Sequence, residues 1–98
     1  MFRDFFLGFI KIHILFHAGE GPIYGVGIME ELRRHGYEIS PGLIYPALRA
    51  LERQGLLKSN ESVIDGKVRK YYQITEKGLD MLDESKSKIK ELVNEVLK

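Results

Sequence analysis

The strongest constraint on the fold of this 98-residue sequence is the pair Asp65-Gly66, which separates two segments that alternate like β-strands. Asp-Gly is a favoured two-residue hairpin turn. We therefore predict an antiparallel hairpin made of residues 57–64 and 67–74. Counting outward from the turn sets the register and gives one mostly apolar face and one basic face. The register pairs Val63 with Val68, Ser59 with Tyr72 and Leu57 with Ile74, and it leaves Lys67, Arg69 and Tyr71 on the basic face.

Three helical segments precede the hairpin and one long segment follows it, with glycine and proline marking most of their ends. The first covers about Phe2–His17, the second about Tyr24–His35 and the third about Pro41–Gln54. Ser40 predicts the start of the third helix, because its side chain can cap free amides before a proline at the first helical position. Thr75 is the predicted cap of the last helix, which runs to the end of the chain. The predicted fold class is therefore mainly α with a β-hairpin.

The order of helix, helix, helix, hairpin and long helix is the plan of a winged helix-turn-helix with an added C-terminal dimerisation helix. In such a plan the second and third helices form the helix-turn-helix, and the third enters the major groove of DNA. We divide the chain into a winged helix-turn-helix DNA-binding domain that includes the N-terminal helix, residues 1–74, and a C-terminal dimerisation helix, residues 75–98.

The outer face of the third helix combines arginines with small and apolar side chains, a composition suited to phosphates and thymine methyl groups. An ordinary solvated face with a few tolerated apolar residues is the alternative, and the helix alone does not decide between them. Arg49 and Arg53 lie one turn apart and could reach base edges or phosphates, whereas Tyr45 is either a phosphate donor or a core aromatic. The candidate DNA-binding residues are Ser40, Tyr45, Arg49, Arg53, Lys67, Arg69 and Lys70, although Lys70 falls on the apolar face of the hairpin.

Both terminal helices carry more apolar surface than so small a body can cover. The first is apolar on nearly all sides, and the last repeats apolar residues at the three-and-four spacing of a heptad, with Lys86 at one position. A second copy of the chain is the simplest partner. The candidate dimerisation residues are Phe5, Phe9, Leu82, Ile89, Val93 and Val96.

Charge and composition limit which functions and which kinds of site the chain can have. Fifteen Lys and Arg against fourteen Asp and Glu leave a formal charge of +1, so a nucleic-acid role depends on where the charges lie. Five basic residues fall in the third helix and the hairpin, and five acidic residues lie on the last helix, away from the proposed DNA face. The basic ones are Arg49, Arg53, Lys67, Arg69 and Lys70, and the acidic ones are Asp80, Asp83, Glu84, Glu91 and Glu95. The lack of cysteine excludes disulfides, thiolate nucleophiles and cysteine-ligated metals. With neither a targeting segment nor a membrane span in view, we expect a cytoplasmic protein.

Catalytic and metal-binding patterns are weak. No catalytic triad, phosphate-binding loop or carboxylate pair in a suitable context is apparent, so we predict neither an enzyme nor a cofactor. His13 and His17 have the i, i+4 spacing that lets two imidazoles share a metal. No third ligand accompanies them in sequence, and His35 is placed elsewhere. Packing or a helix-end role is therefore the preferred interpretation, and no metal site is predicted.

Four ordered segments resemble the PadR family of transcriptional regulators, and the similarity covers about residues 5–80. Their order and separations are much more specific than any one of them. The resemblance implies a homodimeric winged-helix DNA binder, usually a repressor, that meets a pseudo-palindromic operator. It also suggests a small hydrophobic or phenolic effector at the apolar dimer surface, for which a filled core is the preferred alternative. The four segments are Tyr24–Ile28 (YGVGI), Ser40–Leu48 (SPGLIYPAL), Leu51–Leu57 (LERQGLL) and Gly66–Gly78 (GKVRKYYQITEKG).

Two positions depart from the family pattern. The family typically has threonine where this chain has Leu43, and often an acidic residue where it has Gly27. A hydroxyl contact to DNA near the start of the third helix, the predicted recognition helix, is therefore in question. These departures keep an alternative open, in which the chain is a protein-interaction module on a winged-helix scaffold that has lost DNA binding.

Overall fold

Four helices and one β-hairpin follow one another in the predicted order, in a computed structural model that describes all residues, 1–98. The fold class is confirmed, and the observed element ends lie within a few residues of the predicted ones. None of the helices is long and apolar enough to cross a membrane. The elements are α1 (Phe2–Glu20), α2 (Gly25–Arg34), α3 (Pro41–Arg53), β1 (Leu57–Ile64), β2 (Lys67–Ile74) and α4 (Glu76–Val96).

The hairpin has the predicted register, with Val63 opposite Val68 and Leu57 opposite Ile74. Asp65 (φ 53°) and Gly66 (φ 74°) both adopt positive φ, as a tight hairpin turn of this type requires. The expectation of an apolar, inward-facing side holds only at the base. The hairpin, residues 57–74, forms a wing whose outer half projects beyond the core, so Val63 and Val68 remain exposed.

A third segment that the sequence did not indicate joins the base of the wing. Ile23 forms an antiparallel bridge with Tyr72, in which each backbone N–H donates to the other's carbonyl at 2.9 and 2.7 Å. Tyr72 is buried, as predicted for the core residue of the hairpin. The bridge ties the wing to the chain just before α2, so the wing and the helix-turn-helix are parts of one body.

The core lies between α1, α2, α3 and the base of the wing. Burying one leucine or isoleucine side chain contributes about 1.5–3 kcal/mol. Leu82 of α4 joins this core with 5% exposure, which corrects its placement on the dimer surface: the first turns of α4 pack on α1 of the same chain. The largest fully buried side chains are Ile10, Ile14, Leu32, Ile44, Leu48, Leu51 and Leu57.

The two predicted helix caps differ in the structure. Thr75 caps α4, because its Oγ1 accepts a hydrogen bond from the Gly78 N–H at 3.0 Å. Ser40 occupies the cap position of α3 in an extended conformation, but its side chain makes no capping bond. The Ser40 carbonyl accepts from the N–H groups of Leu43 and Ile44 instead. The Ser40 hydroxyl is therefore left exposed at the start of α3.

Candidate nucleic-acid interface

The exposed face of α3 carries the arginines that the sequence predicted. Arg49 and Arg53 are exposed, and the opposite face of the helix is buried in the core. None of the five ion pairs in the chain involves either arginine. Two adjacent guanidinium groups without acidic partners can therefore bind an external anion or a hydrogen-bond acceptor.

Hydrogen bonds at both ends hold α3 in position. Arg33 of α2 donates from Nη2 to the Ile39 carbonyl at 3.0 Å and braces the turn between α2 and α3. Beyond the other end, Lys77 donates from Nζ to the Gln54 carbonyl at 2.9 Å. Thr75 donates to the Gly55 carbonyl at 2.6 Å. These hydrogen bonds tie the segments at both ends of α3 to α2 and to the start of α4, and they thereby fix the orientation of α3.

Tyr45 packs partly as a core aromatic, and one side of its ring reaches an open groove. It is half-buried, and its ring lies over Gly25 at the start of α2. A Cβ atom at residue 25 would overlap this ring, so the close contact of α2 and α3 requires glycine there. The same ring lines an open groove together with Arg49.

The wing presents a stacked cation on its outer face. The Arg69 guanidinium lies 4.3 Å from the centroid of the Tyr24 ring, and Tyr71 packs edge-on to Tyr24 at 5.6 Å. A hydrogen bond from the Arg69 guanidinium to the Tyr71 side chain raises the pKa of Arg69, a side chain that is positively charged at neutral pH in any environment. Sequence reasoning assigned no role to Tyr24, since only the fold brings it under the wing.

Lys70 lies on the inner face of the wing, as the register predicted. Its Nζ is 3.7 Å from Glu52 Oε1 of α3 and 5.4 Å from the centroid of the Tyr72 ring. Glu52 also accepts a hydrogen bond from the Ser59 hydroxyl of β1. Lys70 thus lies between the wing and α3 with its side chain 46% exposed, and Lys67 and Arg69 are exposed toward the outer end of the wing.

A groove of about 470 Å³ separates the wing from α2 and α3. It brings together four of the seven candidate DNA-binding residues, while Ser40, Arg53 and Lys67 are exposed outside it on the same elements. The four candidates in the groove are Tyr45, Arg49, Arg69 and Lys70.

Both departures from the family pattern have packing explanations. Leu43 is half-buried, and its side chain packs between α3 and the hydrophobic core. At Gly27 an added Cβ would lie 2.9 Å from the Tyr24 ring. This is closer than side chains pack, and glycine therefore lets Tyr24 lie under Arg69.

A second polar cluster, away from α3 and the wing, contains all three histidines. The sequence placed His35 apart from His13 and His17, and this is wrong: its ring centroid lies 5.6 Å from that of His13 and 6.4 Å from that of His17. Burial, and then the charges of His35 and His17, lower the pKa of His13. The Tyr37 hydroxyl lies 3.3 Å from His13 Nε2, and burial raises the pKa of Tyr37.

The chain is similar to known regulators in sequence. Residues 14–84 match the model of the transcriptional regulator PadR-like family. Over 95 residues the chain is 42% identical to the transcriptional regulator Rv3488 of Mycobacterium tuberculosis, an alignment that covers 97% of this chain and 89% of that protein.

Solved structures of similar proteins share the whole architecture. A PadR-like transcription factor from Bacteroides fragilis superposes with a TM-score of 0.86 at 28% identity, over 96% of this chain and 92% of that one. A PadR family transcriptional regulator from Eggerthella lenta superposes with a TM-score of 0.82 at 36% identity, over 91% and 79% of the two chains. The similarity therefore extends from the helix-turn-helix to α4.

Proposed function

The chain belongs to the PadR-like family of transcriptional regulators, and on that basis we propose that it binds operator DNA as a homodimer and represses transcription. The observation that carries the proposal is the convergence of Arg49 from α3 and Arg69 from the wing on one groove. These two cations come from separate elements and have no acidic partner within the chain.

In the proposed complex α3 lies in the major groove. A helix with its side chains is about 10–12 Å wide and fits a groove about 12 Å wide. Arg49 and Arg53 then face the base edges, where guanidinium groups bind guanine in a bidentate manner. The free Ser40 hydroxyl at the N-terminal end of α3 is placed to donate to a phosphate.

The wing supplies contacts to the DNA backbone. Lys67 at the tip and Arg69 on the outer face meet the phosphates or the adjacent minor groove. Stacking on Tyr24 holds the Arg69 guanidinium in one orientation before DNA arrives, which lowers the entropy cost of binding. Lys70 acts indirectly, because its pairing with Glu52 favours one orientation of the wing relative to α3.

The homodimer is proposed from the apolar side chains that a single chain leaves exposed. Phe5 and Phe9 on α1, and Ile89, Val93 and Val96 on α4, are each at least 41% exposed. Large apolar side chains clustered on a surface mark interaction sites. Two copies related by a two-fold axis would present two α3 helices and two wings to a pseudo-palindromic site.

DNA binding and its dependence on α3 form the test of this function. A footprint on the DNA upstream of its own coding region would locate the site, and fluorescence anisotropy on that fragment would measure Kd. We expect Arg49→Ala or Arg53→Ala to cost on the order of 1–3 kcal/mol, if either reads a base.

A matched control removes a positive charge from α4. Lys90→Ala should leave Kd within about twofold of the wild-type value, since α4 lies outside the proposed interface. An unrelated fragment of equal length separates specific from non-specific binding. A loss of affinity that is equal for Lys90→Ala and the α3 variants would contradict the placement of α3, and an absence of DNA binding would contradict the proposed function.

A further inference from the structure

The packing of α1 on α2 forms a histidine-carboxylate cluster away from the proposed DNA interface. One ligand atom each from His17 of α1, Glu31 of α2 and His35 directly after α2 lie within 4.8 Å of one another. The three residues lie on α1, on α2 and at the C-terminal end of α2, and they are up to 18 positions apart in the chain. Only the packing of α1 on α2 brings them together.

We propose that His17, Glu31 and His35 bind one divalent transition-metal ion of the Zn²⁺ class. Two imidazoles and one carboxylate are a donor set that holds zinc in proteins, with a fourth position left for water. Metal–ligand distances of about 2.0–2.2 Å place tetrahedral ligand atoms roughly 3.4 Å apart. The distances between the ligand atoms therefore need to shorten by about 1.5 Å at most. The His35 side chain is half exposed and can rotate to shorten them.

His17 and Glu31 each use one polar atom for a neighbouring side chain and leave the other for the ion. His17 Nδ1 lies 3.4 Å from Glu20 Oε1, an arrangement that leaves Nε2 for the ion. Carboxylates that accept from the distal nitrogen of a ligating histidine orient the ring and raise its basicity. Arg34 Nη1 lies 2.9 Å from Glu31 Oε2, so Oε1 is left, 3.8 Å from His35 Nε2.

The histidine-carboxylate cluster is accessible from solvent, and aromatic packing is the competing explanation for why the histidines lie together. A shallow cavity of about 350 Å³, lined by His17, Glu20 and Glu31, opens beside the cluster and gives an ion access. Plain packing of aromatic rings could also gather histidines, as His13 shows: its Nε2 is held by Tyr37, and its ring stacks at the edge of the cluster. A carboxylate between two imidazoles is the feature that packing alone does not require.

Binding of an ion here would join α1 to the end of α2. Ligands from two helices must come together in the folded chain, so binding energy adds to the stability of the folded state. The site lies outside α3 and the wing. Metal binding can therefore be measured without DNA, and its outcome is independent of the proposed function.

Isothermal titration of untagged, EDTA-treated protein with Zn²⁺ tests the proposal. We expect one ion per chain and a rise in the midpoint of thermal unfolding with Zn²⁺. His17→Ala and His35→Ala should each weaken Zn²⁺ binding at least about 10-fold. Glu31→Gln should also weaken it, whereas Glu30→Gln, the same change one residue earlier on α2, should bind like the wild-type chain.

The variants are compared by far-UV circular dichroism, so that loss of fold is separated from loss of a ligand. His35 is exposed, which makes its alanine variant the safest of the set. Three results would overturn the proposal: no stoichiometric Zn²⁺ binding, binding of wild-type strength in both folded histidine variants, or equal effects of Glu30→Gln and Glu31→Gln.

Discussion

Single residues decide how closely the elements of this chain can approach one another. Gly25 lets the Tyr45 ring cross the start of α2, and Gly27 makes room for Tyr24. Gly78 is the most constrained, because an added Cβ would overlap the Leu56 carbonyl and lie 2.7 Å from Ile74 Cγ1. At this point the first turn of α4 crosses the chain between α3 and the wing.

Replacing Gly78 by alanine should therefore destabilise the fold. Backbone atoms cannot move aside as a flexible side chain can, and overpacking of this kind costs about 1–3 kcal/mol. Gly19→Ala is the matched control, since an added Cβ there meets nothing within 4 Å. That change removes a glycine from α1 and should stabilise by up to about 1 kcal/mol. Urea unfolding at one fixed protein concentration measures both, and equal stability of the two variants would contradict the close approach.

Among the helices and strands, the wing and α3 act as one unit, while the ends of α1 and α4 are left without partners. The Ile23–Tyr72 bridge ties the base of the wing to the chain before α2, and the Lys70–Glu52 pair connects the wing to α3. The second half of α4 has no buried residue beyond Leu82. An isolated amphipathic helix gains most of its stability from packing, so this half of α4 needs a surface to pack on.

Ile89→Glu should convert the proposed dimer into monomers. A charge in a desolvated apolar interface has no partner, and burying it costs several kcal/mol. Sedimentation velocity measures the change, with circular dichroism to confirm that the chain remains helical. Lys90→Glu places the same charge on the neighbouring residue and should leave the dimer intact. A folded Ile89→Glu variant that sediments as a dimer would place the interface elsewhere.

The molecule as a whole is extended for its length. Its radius of gyration is 14.3 Å and its longest dimension is 53 Å, whereas a rounded domain of this size has a radius of about 13 Å. The excess length comes from projecting parts, the wing and α4. The charges are also unevenly placed: Arg49 and Arg53 on α3 and Lys67 and Arg69 on the wing form no ion pair, whereas α4 carries more acidic than basic residues. A formal charge of +1 therefore conceals a basic face.

This distribution predicts strong salt dependence of DNA binding by a nearly neutral chain. Each phosphate neutralised by Lys or Arg releases counterions, and neutralising 6–10 phosphates per dimer would reduce affinity by about 10³–10⁵ between 50 and 200 mM salt. Lys67→Ala should make the slope of log K against log salt shallower by about one for each phosphate that is no longer neutralised. Anisotropy titrations at a series of salt concentrations measure it. A flat response would be incompatible with a phosphate-binding face.

Features that depend on near neighbours in the chain could be predicted from the sequence alone. A two-residue turn and the period of two along each strand set the hairpin register, so Tyr72 could be named as its core residue. Caps and breakers located the helices to within a few residues. The exposed arginines of α3 were also predictable, because at 100° per residue they fall about half a turn away from the buried face.

How distant elements meet could be seen only in the folded chain. The Ser40 side chain, the burial of Leu82 and the placement of Tyr24 beneath Arg69 depend on helix packing that no local pattern encodes. The same holds for His35, whose approach to His17 depends on the angle and the offset at which α1 and α2 pack. Local periodicity fixes which face of an element is apolar, but the contact between two faces depends on the summed shape of many side chains across the whole core.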